Sequence, residues 1–153
     1  MKLYIETSVP TMLFAGDAPD LRRLTEEFFE WARLCSDEFF TSAVTEEEIS
    51  RAPSVLRTKL TKALRSLEPR LLDIDAEARG LAEAYLRKGI LPPRFSNDAL
   101  HVAVAVCHRM DVIVSWNMKH LANMRPVDQI NRLNLKYGFP SIRIHTPAEV
   151  IES

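Results

Sequence analysis

Residues 3–8 read LYIETS, and the first three of them leave no room for a polar face. A run of this kind predicts a β-strand that is buried on both sides. Such strands belong to parallel sheets, because the crossover helices of a parallel sheet lie on both of its faces. The chain is therefore expected to contain a mostly parallel sheet with Leu3, Tyr4 and Ile5 in its interior.

The rest of the chain alternates between strand and helix patterns. Further strands are predicted at 39–44, 71–75, 111–116 and 142–146. Helices are predicted at 21–34, from 45 to the break at Pro53, and at 54–67, 76–88, 97–108 and 126–136, with a helical turn at 147–150. This order predicts a single domain, residues 1–153, with the α/β architecture of a three-layer α/β/α sandwich around a mostly parallel sheet.

The composition is that of a globular domain. The 153 residues are 46% hydrophobic and 27% charged, which is far from a disordered composition. Cys35 and Cys107 stand far apart and in no CxxC pair, so free thiols and a reducing cytoplasm are expected. The start, MKLYIETSVP, does not read as a signal peptide, and no apolar run approaches about 18 residues. We expect neither export nor a membrane span.

The net charge of −1 hides an uneven distribution. Residues 17–48 hold ten acids against three arginines. The stretch 51–67 holds no acid and five bases, namely Arg51, Arg57, Lys59, Lys62 and Arg65. A solvated helix face and an edge that binds a polyanion both fit this second stretch.

Polar side chains follow the predicted strands at their carboxyl ends, where the functional cleft of a parallel sheet lies. Glu6 ends the first strand, Glu48 follows the second, and Asp98 opens the apolar helix. Each alone has a structural interpretation: Glu48 could serve a helix dipole, Asp98 could cap its helix, and Glu6 could pair with an arginine. Held together, however, three carboxylates repel one another unless a cation compensates. Hard oxygen ligands suit Mg²⁺ or Mn²⁺, so the three predict a divalent metal site.

Four motifs span nearly the whole chain: YIETSV at 4–9, TSAVTEEEI at 41–49, NDALHVAVA at 97–105 and DVIVSWN at 111–117. Their order and spacing resemble those of the PIN-domain nucleases, the family that includes the VapC-type ribonuclease toxins of toxin–antitoxin pairs. The resemblance implies a catalytic and metal-binding site at four positions, with the Ser115 hydroxyl beside them. These positions are Glu6, Glu48, Asp98 and Asn117.

The resemblance also implies an activity and partners. The activity is hydrolysis of RNA with one or two Mg²⁺ or Mn²⁺ ions, in which Ser8 and Ser115 would orient ligands or water. The basic residues of 51–65 would track the RNA phosphates. An antitoxin protein is the implied partner, and homodimerisation is common in the family.

Two positions depart from the family pattern. Glu6 stands where the family usually has Asp, which is one methylene shorter and carries the same charge. Asn117 replaces a carboxylate by an amide, which keeps an oxygen ligand and removes a negative charge. We therefore expect a three-carboxylate site with a weakened second metal position. Residues 115–120, SWNMKH, could instead mark a subfamily arrangement in which Lys119 or His120 takes part, although loop packing is the simpler interpretation.

Two classes of function remain open. The retained acids Glu6, Glu48 and Asp98 favour a metal-dependent ribonuclease. Asn117 favours a catalytically impaired PIN-like protein that acts as an RNA- or protein-binding module. A small-molecule enzyme lacks support, because the sequence has no glycine-rich phosphate loop and no nucleophile elbow.

His101 and His108 lie on the same predicted helix. Their spacing of seven is longer than the three or four that zinc ligands on a helix favour. We therefore expect packing or local hydrogen bonding at both.

Overall fold

The chain folds around a five-stranded sheet in the computed structural model, which describes residues 1–118 and 126–153. The strands are β1 (Lys2–Ile5), β2 (Glu38–Ser42), β3 (Arg70–Leu72), β4 (Val112–Val114) and β5 (Arg143–His145). Their spatial order is β3-β2-β1-β4-β5, and every neighbouring pair is parallel. The first strand of the sequence is therefore the central strand of the sheet.

Helices join the strands and cover the sheet. They are α1 (Ser8–Met12), α2 (Pro19–Leu34), α3 (Ala43–Ser50), α4 (Ser54–Ser66), α5 (Ala76–Arg87), α6 (Ser96–Cys107), α7 (Pro126–Lys136) and α8 (Pro147–Glu152). A 3₁₀ turn at Pro93–Phe95 leads into α6. Within the described residues, no helix combines the length and the apolar character that crossing a membrane requires.

Alternating strand residues divide the core into two layers. Leu3 and Ile5 pack with residues of α2, α4 and α8 on one face of the sheet. Tyr4 and Ile113 pack with α5, α6 and α7 on the other face. Helix α6 is buried along most of its length, which accounts for its nearly uniform apolar sequence. The predicted three-layer α/β/α sandwich with a parallel sheet is confirmed.

The first strand, predicted over 3–8, ends at Ile5, and Ser8 already begins α1. Two further predicted boundaries are wrong for a shared physical reason. Ser42 ends β2 and caps α3, because its Oγ accepts a hydrogen bond of 3.2 Å from Val44 N. The helix therefore begins at Ala43, two residues before the predicted start. Asp75 caps α5 by accepting from Ala78 N at 2.9 Å, so β3 ends at Leu72 and the predicted strand at 71–75 is too long.

Candidate functional site

The register of the sheet places Glu6 beside Ser115. Ile5 of β1 pairs with Val114 of β4, and Glu6 N continues this pairing with a hydrogen bond of 3.1 Å to Val114 O. Glu6 and Ser115 are therefore the first residues beyond the carboxyl ends of two adjacent strands. Ser115 Oγ donates to Glu6 Oε2 at 3.2 Å.

The hydroxyls of Ser8 and Ser115 tie the end of β1 to the turn after β4. Their Oγ atoms lie 3.3 Å apart, and both residues are buried. Ser8 Oγ accepts from Trp116 N at 2.9 Å, and Ser115 Oγ accepts from Met118 N at 3.0 Å. These backbone donors and the two hydroxyls fix the surroundings of Glu6.

Glu6 is a buried carboxylate, with 4% of the residue exposed. Its two oxygens accept from Ser8 N at 2.9 and 3.1 Å. Burial raises its pKa above the ordinary value for glutamate, and the nearby Glu48 carboxylate acts in the same direction. Among residues 1–118 and 126–153 no lysine or arginine forms an ion pair with Glu6, so the arginine partner considered from the sequence is not found there.

Glu48 is held by two strong donors. Thr7 Oγ1 and His101 Nε2 both lie 2.6 Å from Glu48 Oε1. Nδ1 of His101 lies 2.7 Å from Tyr4 OH, which lies 2.7 Å from Ser42 Oγ. Burial acts to raise the pKa of Glu48, but the hydrogen bonds from His101 and Thr7 outweigh it, and the pKa is lowered. Two neighbouring carboxylates thus have pKa values moved in opposite directions.

Asp98 and Asn117 are both more exposed than Glu6. Asp98 is half-buried in the first turn of α6. The same turn carries Asn97, whose side chain helps to lower the pKa of Glu48. Asn117 is exposed, and its backbone N donates to Ser115 Oγ at 3.1 Å. The structure therefore brings Glu6 and Ser115 into contact, with the Glu48 carboxylate close enough to Glu6 to raise its pKa. Lys119 and His120 lie outside the described residues.

Four residues of this arrangement were not predicted as site residues: Tyr4, Thr7, Ser42 and His101. His101 was expected to pack or to form local hydrogen bonds. It is buried, but its hydrogen bonds are long-range, to Tyr4 and to Glu48. A signal was present in the sequence. Glu6 follows Tyr4 by two residues in a segment predicted as a strand, where such residues share a face, and His101 follows Asn97 by one helical turn.

The structure divides the five predicted RNA-binding residues. Arg57 and Arg65 line a groove of about 450 Å³ beside α4, and Lys62 adjoins them. Lys59 lies instead over the ring of Phe14, with Nζ 5.9 Å from the centroid. The remaining residue, Arg51, pairs with Glu47 of α3 at 2.8 Å. Neither Glu6 nor Glu48 is among the residues that line this groove.

The donor set suits a magnesium site built from few protein ligands. In the part of the chain that the structure describes, no group of three His, Cys, Asp or Glu side chains is arranged to hold a metal ion. Mg²⁺, however, is commonly bound through one or two carboxylates, with waters and substrate phosphates completing its shell. Glu6 and Glu48 meet that requirement, since both are oxygen ligands and neither is neutralised by a lysine or arginine among the described residues.

Comparison with solved structures gives the same fold. One similar chain belongs to VapBC2 from Rickettsia felis, crystallised with a DNA fragment from their promoter, with a TM-score of 0.57 and 17% identity. Another belongs to VapBC-5 from Mycobacterium tuberculosis, a member of the VapBC family of toxin-antitoxin systems, with a TM-score of 0.53 and 17% identity. In both cases the match covers 95% of this chain and 98% of the other. No family model and no curated protein matches the sequence.

Proposed function

We propose that this chain is a PIN-type, metal-dependent ribonuclease that hydrolyses RNA phosphodiester bonds and acts as the toxin of a toxin–antitoxin pair. The observation that carries the proposal is a pair of nearby carboxylates, Glu6 after the central strand β1 and Glu48 on α3, with pKa values moved in opposite directions. Perturbed carboxylates in a cleft are a common feature of catalytic sites. The likeness to two VapBC chains over nearly their whole length supports the same class.

In this proposal Glu6 and Glu48 hold Mg²⁺ or Mn²⁺, with Asp98 and Asn117 as outer ligands or water-binding groups. The ion would supply a polarised water and charge compensation at the phosphate. Ser115 keeps the Glu6 carboxylate in place through its hydroxyl. Because Asn117 carries no charge and is exposed, the site favours one firmly held ion over two.

RNA would approach along α4. Arg57, Lys62 and Arg65 share one side of this helix and can follow successive phosphates. Helix α3 separates their groove from the cleft, so a bound strand would cross α3 to bring a phosphate to Glu48. An antitoxin is the proposed protein partner, because the similar chains come from VapBC systems. Homodimerisation and a cytoplasmic location stay predictions.

The test is cleavage of a labelled single-stranded RNA pool in Mg²⁺, Mn²⁺ or EDTA. The parent protein is compared with Asp98→Asn and with Glu47→Gln, a control that removes an exposed acid of α3. We expect metal-dependent cleavage that Asp98→Asn loses and Glu47→Gln retains. RNA binding without cleavage by the parent would instead support the RNA-binding module, for which the amide of Asn117 is the specific observation.

A further inference from the structure

A chain of buried hydrogen bonds runs from the end of β2 to Glu48. It passes from Ser42 Oγ to Tyr4 OH and from there to His101 Nδ1, with both distances 2.7 Å, and ends at Glu48 Oε1, 2.6 Å from His101 Nε2. Ser42 and Tyr4 are fully buried and His101 is 1% exposed. Polar groups in such positions cost free energy compared with apolar ones unless every bond is made. Packing of the core alone does not explain why three polar side chains are buried next to one another.

The bonds have one consistent direction when His101 is neutral. The Glu48 carboxylate accepts only, so His101 Nε2 must carry the hydrogen and Nδ1 must accept from Tyr4 OH. Tyr4 in turn accepts from the Ser42 hydroxyl, whose oxygen also accepts from Val44 N at 3.2 Å. Each hydroxyl or imidazole hydrogen in the series therefore points towards Glu48. At the other end of the series, the first turn of α3 holds Ser42 in place through Val44 N.

We propose that Tyr4 and His101 are positioning residues that hold the Glu48 carboxylate in the orientation in which it binds a divalent cation such as Mg²⁺ or Mn²⁺. The inference rests on the proposed function. His101 and Thr7 both reach Oε1 at 2.6 Å, which fixes the rotation of the carboxylate. Tyr4 acts one bond further away, by fixing the tautomer and the rotation of the imidazole. Partners of metal ligands commonly act in this way, and their loss costs about 10- to 100-fold in metal affinity or activity.

The experiment measures Mn²⁺ binding to the full chain by electron paramagnetic resonance of the free ion, with the metal alone as the probe. The variants are Tyr4→Phe, His101→Phe and His101→Gln, in which the amide nitrogen of glutamine replaces Nε2 as a donor. The matched control is Tyr85→Phe. Tyr85 is also fully buried and packed in the same layer of the core, but its hydroxyl donates to Asn134, which is outside the site.

We expect Tyr4→Phe to weaken Mn²⁺ affinity about tenfold and His101→Phe at least as much. His101→Gln should recover part of the loss. Adding Tyr4→Phe to His101→Phe should cause no further loss, because Tyr4 acts through His101. Tyr85→Phe should bind Mn²⁺ like the parent, although it loses a comparable buried hydroxyl. Thermal unfolding of each variant shows that the compared proteins are folded.

The positioning role is overturned if Tyr4→Phe keeps the parent affinity, if Tyr85→Phe weakens binding equally, or if the parent takes up no Mn²⁺. If Tyr4→Phe does not fold, the comparison of His101→Gln with His101→Phe decides, and equal affinities overturn the proposal. RNA cleavage is measured separately. A parent that binds Mn²⁺ without cleaving RNA would refute the ribonuclease, while the affinity series would still decide the role of Tyr4 and His101.

Discussion

Replacing Glu6 by Gln should abolish the proposed RNA cleavage and yet stabilise the metal-free protein at neutral pH. The substitution keeps the shape of the side chain and removes one charge from a residue that is 4% exposed. At the position of Oε2, the amide oxygen can keep the hydrogen bonds from Ser115 Oγ and Ser8 N. The fold therefore loses only the contact of Ser8 N with Oε1, while the cost of burying a carboxylate that forms no ion pair with a lysine or arginine among the described residues disappears.

The sign and size of this change in stability follow from the raised pKa of Glu6. A group whose pKa is raised on folding stabilises the protein fully below its ordinary pKa, and this contribution is lost as pH rises through the folded pKa. Between the two values the free energy of unfolding of the parent falls by up to about 1.4 kcal/mol per pH unit. The free energy of unfolding of the Glu6→Gln variant does not fall with pH in this way, because the amide does not titrate. For a chain of this size, the melting temperatures of the two proteins should separate by about 3 to 6 °C per pH unit.

The assay is thermal unfolding in EDTA from pH 4.5 to 8.5, followed by circular dichroism. Glu47→Gln is the control, because the Glu47 side chain is 66% exposed and pairs with exposed Arg51. It should follow the parent. Parallel melting curves for Glu6→Gln and the parent would refute the reasoning, since they would mean that folding does not raise the pKa of Glu6. Mn²⁺ at about 100 times its Kd should stabilise the parent by about 2.7 kcal/mol and leave Glu6→Gln unchanged.

Three further predictions concern other parts of the molecule. Arg57→Ala and Arg65→Ala should each lower the salt dependence of single-stranded RNA binding by about 0.7 to 1 in the log–log slope, measured by fluorescence anisotropy; unchanged slopes would place the RNA elsewhere. Phe28→Ala should cost about 3–5 kcal/mol in urea unfolding, because Phe28 is fully buried against the sheet, and a cost below about 1 kcal/mol would contradict that packing. Burial raises the pKa of Cys107 to about 12, so iodoacetamide at pH 8 should modify it far more slowly in the native than in the urea-unfolded protein, as followed by mass spectrometry; equal rates would contradict the burial.

The sheet could be predicted from the sequence because its central strands are apolar throughout. Leu3–Tyr4–Ile5 and Val112–Ile113–Val114 have no polar face, and only a parallel sheet covers such strands on both sides. The ends of β2 and β3 could not be placed as well. Ser42 and Asp75 follow residues typical of strands, but their side chains cap helices, and a cap is recognised only once the helix behind it is in place.

The candidate site could be predicted only in part. Glu6 and Ser115 follow from strand ends that share an edge. His101 stands in an otherwise apolar helix, and a sequence pattern cannot show that its two nitrogens meet Tyr4, 97 residues away, and Glu48, 53 residues away. The stretch 51–67 poses the opposite difficulty. Its bases are neighbours in sequence, but the rotation of about 100° per residue in a helix sends Lys59 to a different side of α4 from Arg57 and Arg65.

The central place of β1 in the sheet governs when, during synthesis, the cleft comes into being. β1 leaves the ribosome before its neighbour β4, which is translated more than a hundred residues later, and Glu6 meets Ser115 across a separation of 109 residues. Contacts this distant form late in the folding of a growing chain. A nascent or prematurely terminated chain that lacks β4 therefore has no assembled cleft. In the proposed function, the ribosome that makes the protein is exposed to RNA cleavage only after β4 and Ser115 have left the exit tunnel.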